Sequence, residues 1–115
     1  MRIPTPSGDI AIDLTKSGRV RLSRQLADGN TYYMLSRLDC RAVSAGILRV
    51  LENQDQAATS VRLDQGPPLS IVRQRTGIRL ERTFYKTGET EWMSMSEAVA
   101  CDVAAGLLDV AGLLL

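Results

Sequence analysis

The chain contains an internal repeat with a period of about 60 residues. Residues 43–50, VSAGILRV, align with residues 103–110, VAAGLLDV, at a spacing of 60, with five of eight positions identical and two conservative. Gly18 and Gly77 lie 59 residues apart. A chain built from two copies of one unit is expected to bury its core between them, so the duplication constrains the fold more than composition does.

The spacing of the repeat changes along the chain. Residues 20–24 match residues 78–82 at a spacing of 58, whereas Tyr33 matches Trp92 at a spacing of 59. A hairpin or a bulge can absorb such one-residue slips. On this alignment Tyr33 and Trp92 occupy equivalent positions.

Each half reads as several strands followed by one helix. Alternating apolar residues, glycine turns and a final apolar stripe predict these elements in the first half. The strands are predicted at residues 2–4, 9–15, 19–26 and 31–37, and the helix at residues 38–52. In that helix we expect Val43, Ile47, Leu48 and Leu51 to form the buried stripe.

The second half repeats the same order. Its strands are predicted at residues 60–64, 69–74, 78–85 and 90–95, and its helix at residues 97–114. Ser96 stands where it can cap the start of this helix.

These patterns predict an α+β fold of two tandem antiparallel sheet-plus-helix repeats, packed as a pseudo-twofold intramolecular dimer. The 115 residues form a single domain, with repeat one at residues 1–53, a linker at residues 54–59 and repeat two at residues 60–115. A half of this size buries little apolar surface alone. We therefore expect the helices to pack together, with Gly46 and Gly106 permitting close approach.

Composition argues against an enzyme. The chain has no histidine and two cysteines, so the commonest general base and the usual zinc ligand sets are missing. Asp13, Asp39 and Glu97 are candidate acids, but no motif pairs them with a base or a metal ligand. We predict no catalytic residue, no metal and no cofactor, and we expect Cys40 and Cys101 to be small buried side chains.

Charge is distributed unevenly although the formal net charge is +1. Residues 1–86 hold all 14 Lys and Arg against eight acids, a net of +6, and residues 87–115 hold five acids and no base, a net of −5. Residues 1–9 contain no apolar stretch, and residues 103–115 are short and interrupted by Asp109. We expect no membrane association and an intracellular location, cytoplasmic or nucleoid-associated.

Residues 82–92, RTFYKTGETEW, resemble the strand–hairpin–strand of small bacterial and phage members of the Whirly-like superfamily, which also includes the plant Whirly and transcriptional positive-cofactor proteins. Residues 26–33 form a degraded version of the same segment. Four antiparallel strands followed by a helix, used twice, is also similar to that fold. The resemblance implies single-stranded DNA or, less readily, RNA as the partner, with little sequence preference. Related folds often assemble further, so a homo-oligomer is also expected.

Sequence-tolerant binding needs cations along a groove and flat aromatic faces for the bases. Strand alternation predicts Tyr33 and Trp92 on the outer sheet faces, with Arg21 and Arg79 beside them. Further phosphate contacts are expected from basic residues at turns and edges, namely Lys16, Arg19, Arg73, Arg75 and Lys86. The same residues can equally be cross-strand packing residues and a solvated sheet face.

A protein-interaction or assembly module is the alternative function. The apolar end of the chain, residues 113–115, would then be an exposed docking surface. Salt separates the two functions, since nucleic-acid affinity falls steeply with ionic strength and an apolar interface is far less sensitive.

Overall fold

A computed structural model of the protein describes residues 1–26 and 29–114. The first repeat contains β1 (Arg2–Ile3), β2 (Ile10–Leu14), β3 (Val20–Leu26), β4 (Gly29–Leu35) and α1 (Arg37–Glu52). The second repeat contains β5 (Ala58–Val61), β6 (Leu69–Gln74), β7 (Gly77–Thr83), β8 (Thr90–Ser96) and α2 (Glu97–Ala111). The predicted α+β class and the repeated sheet-plus-helix order are confirmed.

Each repeat forms one four-stranded antiparallel sheet in sequence order, β1-β2-β3-β4 and β5-β6-β7-β8. Alternate side chains on every long strand are buried, such as Ile10 and Ile12 on β2 and Ile78 and Leu80 on β7. Since successive side chains point to opposite sides of a strand, each sheet has one apolar inner face and one outer face. The outer faces are the surfaces available for a ligand.

The helices join the two repeats. α1 packs mainly on β5 and β6 of the other repeat, α2 packs on β2 of the other repeat as well as on β7 and β8, and the two helices pack on each other. A Cβ added at Gly46 would lie 2.7 Å from Ile71 Cδ1, and one at Gly106 would lie 2.8 Å from Ile12 Cδ1. The two helices do pack together, but the expectation that Gly46 and Gly106 permit this contact is wrong, because the atoms closest to both glycines belong to the opposite repeat outside its helix.

Strand register changes the alignment of the two repeats. Leu22 pairs with Tyr33, and the equivalent Leu80 pairs with Met93, so Tyr33 corresponds to Met93 at a spacing of 60. Tyr32 then corresponds to Trp92. The cause is the second hairpin, in which the Thr83–Thr90 pair encloses six residues, whereas its counterpart, Gln25–Asn30, encloses four.

The prediction that Tyr33 faces outward is wrong. Its side chain is 0% exposed and its hydroxyl donates to Leu80 O at 3.2 Å, whereas Tyr32 is 48% exposed. A register error of one residue moves a side chain to the opposite face of a sheet. Ala27 and Asp28, in the degraded motif of the first repeat, lie outside the described residues, as does Leu115.

The structure also tests the expected burial of both cysteines and of Leu48; it confirms Cys40 and corrects the other two. Cys40 is buried as expected, and burial, with the Asp39 carboxylate nearby, raises the pKa of its thiol to about 11. Cys101 is exposed, because it stands on the outer side of α2. Leu48 is likewise 36% exposed and does not belong to the buried stripe of α1.

Candidate nucleic-acid interface

The outer face of the first sheet forms an open groove of about 750 Å³. Two arginines, two aspartates and an aromatic ring stand among its small and polar residues. The lining residues are Arg2, Asp9, Ala11, Asp13, Arg21, Ser23, Gln25, Tyr32 and Met34. The groove therefore offers cations, hydrogen-bonding groups and one flat ring on a surface that the protein core does not use.

Arg21 and Tyr32 are diagonal neighbours in this groove. Tyr32 pairs with Ser23 and Arg21 pairs with Met34 across β3 and β4. Diagonal neighbours on one sheet face lie within reach of long and aromatic side chains. Arg21 is exposed, and it makes no ion pair with any of the described residues. Its guanidinium is thus free to meet an anion beside the ring.

The second sheet presents the same pair. Trp92 pairs with Glu81 and Arg79 pairs with Ser94, which reproduces the diagonal of the first sheet. The Trp92 side chain is 55% exposed. Arg79 Nε lies 3.0 Å from Glu81 Oε2, so Glu81 neutralises part of the positive charge on this face. The first sheet consequently carries the freer arginine and the second sheet the larger ring.

The remaining predicted basic residues divide into two groups. Lys16 and Arg75 are exposed in the β2–β3 and β6–β7 turns, at the strand ends nearest Arg21 and Arg79, and Lys86 is exposed in the β7–β8 loop. These three remain available for phosphate.

Arg19 and Arg73 have partners within the protein instead. Arg19 Nη2 lies 2.7 Å from Asp64 Oδ2, and Arg73 Nη2 donates to Asn53 O at 2.7 Å. Arg73 Nε also donates to Gln56 O at 3.4 Å. Arg19 thus joins the β2–β3 turn to the β5–β6 loop of the other repeat, and Arg73 holds the segment between the repeats, so the structure explains both arginines without a ligand.

Two other arginines occupy equivalent positions inside the protein. Arg24 is 4% exposed and its Nη1 donates to Ser94 O of the other repeat, and burial lowers its pKa. Arg82 pairs with Glu91 at 3.2 Å and stacks on the Tyr33 ring, with 5.3 Å from Cζ to the centroid. Both arginines join the two repeats, so Arg82, the first residue of the segment 82–92, is a packing residue here.

Sequence reasoning missed Tyr32 and Arg2 as groove residues. The signal for Tyr32 was present, because Ser36 and Ser96 cap the two helices and lie 60 residues apart. An alignment of the two repeats that starts from these caps matches Tyr32 with Trp92. For Arg2 no local pattern was available, since its strand has only two residues.

Comparisons of the chain with protein-family models, with curated proteins and with solved structures find no match. Among the described residues, no group of three or more cysteine, aspartate or glutamate side chains is placed to hold a metal ion. No helix in residues 1–26 and 29–114 has the length and apolarity needed to cross a membrane. The function is therefore inferred from the two sheet faces.

Proposed function

We propose that the protein binds single-stranded nucleic acid, DNA in preference to RNA, on the outer faces of its two sheets. The observation that carries this proposal is the repeated pair of an arginine and an exposed aromatic ring, Arg21 with Tyr32 and Arg79 with Trp92. Core packing does not explain these rings, because they lie on the faces opposite the core.

The chemistry of the pair suits a single strand. An unpaired base can stack on a tyrosine or tryptophan ring, and each such contact contributes about 1–3 kcal/mol without selecting a particular base. The planar guanidinium of arginine matches a phosphate and can bind two of its oxygens. A base within a duplex is already stacked and cannot lie flat on an outside ring, so single strands are preferred.

The turns extend each face. Lys16 and Arg75 lie beyond Arg21 and Arg79 at equivalent turns, so a backbone that follows either diagonal meets a second cation. Lys86 adds a cation at the opposite end of the second sheet. Binding of this kind requires no catalytic residue, metal or cofactor.

Salt dependence tests the proposal. Neutralising three phosphates of a single strand gives a slope of about −2 in log affinity against log salt, so affinity falls about 20-fold between about 50 and 200 mM salt. Fluorescence anisotropy of labelled single-stranded and duplex oligonucleotides at both concentrations measures this. We expect the single strand to bind more tightly than the duplex, and its affinity to fall with salt at the slope given above.

Absence of binding at the lower salt concentration would contradict the proposal and favour the second candidate, a protein-interaction module. The observation behind that candidate is the exposed apolar side chains Leu38 and Leu113, which are 73% and 66% exposed. Salt-independent binding of a protein partner would then be expected.

A further inference from the structure

The outward sides of the two helices carry opposite charges. Both helices bury the same positions of the repeat and expose the same positions, 60 residues apart. We define the α1 face by its exposed residues Arg37, Arg41, Ala45, Leu48 and Arg49. We define the α2 face by its exposed residues Glu97, Asp102, Ala105, Leu108 and Asp109.

The charges on these faces have no partners within one copy. The α1 face has three arginines, with Glu52 at its end, and the α2 face has three acids and no base. None of these seven charged side chains forms an ion pair or a side-chain hydrogen bond with the part of the chain that the structure describes. The α1 face therefore carries three positive charges and one negative charge, a net of +2, and the α2 face carries a net of −3.

Apolar and small side chains stand between these charges. Leu48 and Leu108 are equivalent positions and are 36% and 47% exposed. Ala45 and Ala105 lie one helical turn before them, so each face has a small side chain next to its exposed leucine. Packed helices come within about 8–10 Å of each other when the side chains at the contact permit it.

We propose that the α1 face of one copy of this chain docks on the α2 face of a second copy. Charge decides the pairing. Arg37 and Arg49 of α1 occupy the same repeat positions as Glu97 and Asp109 of α2. Contact between two α1 faces or between two α2 faces would therefore bring like charges together. Contact between an α1 face and an α2 face brings opposite charges together. Leu48 and Leu108 then lie in the contact and lose their exposure to water.

This pairing uses a different helix on each copy. It is satisfied in a closed dimer that contains both α1–α2 contacts, or in a longer array of copies. The helices cover the inner faces of the sheets, so both outer faces stay free in either assembly. The docking does not depend on nucleic-acid binding.

Charge-reversal variants test this inference. Sedimentation velocity over a range of protein concentrations measures the self-association of each. We expect the wild-type chain to associate reversibly, and more weakly at high salt. Arg41→Glu with Arg49→Glu makes the α1 face acidic like the α2 face. Asp102→Arg with Asp109→Arg makes the α2 face basic like the α1 face. Because like charges then meet, each variant alone should associate at least tenfold more weakly than the wild type. An equimolar mixture should regain association, because each acidic face then meets a basic one.

Controls separate docking from folding and from total charge. Circular dichroism should be unchanged in both variants, and thermal unfolding should be little changed at concentrations where the wild type is monomeric, because all four side chains are exposed. Arg75→Glu with Lys86→Glu changes the net charge as much as Arg41→Glu with Arg49→Glu, but on loops of the second sheet, and should leave association unchanged.

Three results would overturn the inference. They are a wild-type chain that stays monomeric at all concentrations, charge-reversed variants that associate like the wild type, and a mixture that does not regain association. A monomeric wild-type chain whose oligonucleotide affinity falls on Arg41→Glu with Arg49→Glu would assign the α1 face to nucleic acid instead.

Discussion

Tyr33→Ala is expected to lower the free energy of unfolding by about 3–5 kcal/mol, whereas Tyr32→Ala should change it by less than about 0.5 kcal/mol. The two residues are adjacent in sequence and chemically identical, so each is the matched control for the other. Tyr33 is 0% exposed, and its ring lies under the Arg82 guanidinium between the repeats. Tyr32 projects from the opposite side of the same strand and makes no core contact.

Urea denaturation of the two variants measures this difference. Tyr33→Phe keeps the ring and loses the hydrogen bond to Leu80 O, so it should cost about 1 kcal/mol. Burial, with Glu91 nearby, raises the pKa of Tyr33, so above about pH 10 the unfolded chain loses this proton more readily and stability should fall. Similar losses for Tyr32→Ala and Tyr33→Ala would contradict the strand register described above.

The second large effect is expected on binding. Replacing Arg21, Tyr32, Arg79 and Trp92 together by alanine should lower affinity for a single-stranded oligonucleotide about 100-fold or more, since a single stacked base contributes about 1–3 kcal/mol. Urea denaturation should show little change, because both rings lie outside the core. Anisotropy titrations at one fixed salt concentration measure the effect.

A control removes the same two kinds of side chain elsewhere, one of each instead of two of each. Arg62→Ala with Tyr85→Ala takes away one exposed arginine and one exposed aromatic ring that lie outside both sheet faces. We expect this variant to bind within about threefold of the wild type, corresponding to less than about 0.7 kcal/mol. Equal losses in the control and in the four-residue variant would show that the sheet faces have no special role.

Most of the fold was predictable because its signals are local. Alternation of apolar residues placed the strands, and β6 was predicted at its observed bounds, Leu69–Gln74. Serine caps and apolar stripes placed both helices, although α2 ends at Ala111 rather than at residue 114. Periodicity also identified the inner faces of the strands other than β4, but it does not say which element covers them, so the packing of α1 on the opposite repeat was not foreseen.

The candidate site was predicted in part, for a physical reason. Arg21, Arg79 and Trp92 follow from alternation within one strand, and all three lie on outer faces. Tyr33 was misplaced because its assignment needed the lengths of two hairpins, and a single residue of error reverses the face. The burial of Arg24 and Arg82 was not predictable, since it depends on contacts between the repeats.

Tryptophan emission during titration with a single strand tests the central claim most directly. Trp92 is the only tryptophan in the chain, so the emission reports on one ring of the proposed interface. Stacking of a base on that ring predicts saturable quenching by single-stranded DNA at low salt, reversal of the quenching when salt is raised, and little effect of duplex. Binding detected by anisotropy without any change in Trp92 emission would contradict base stacking on the second sheet.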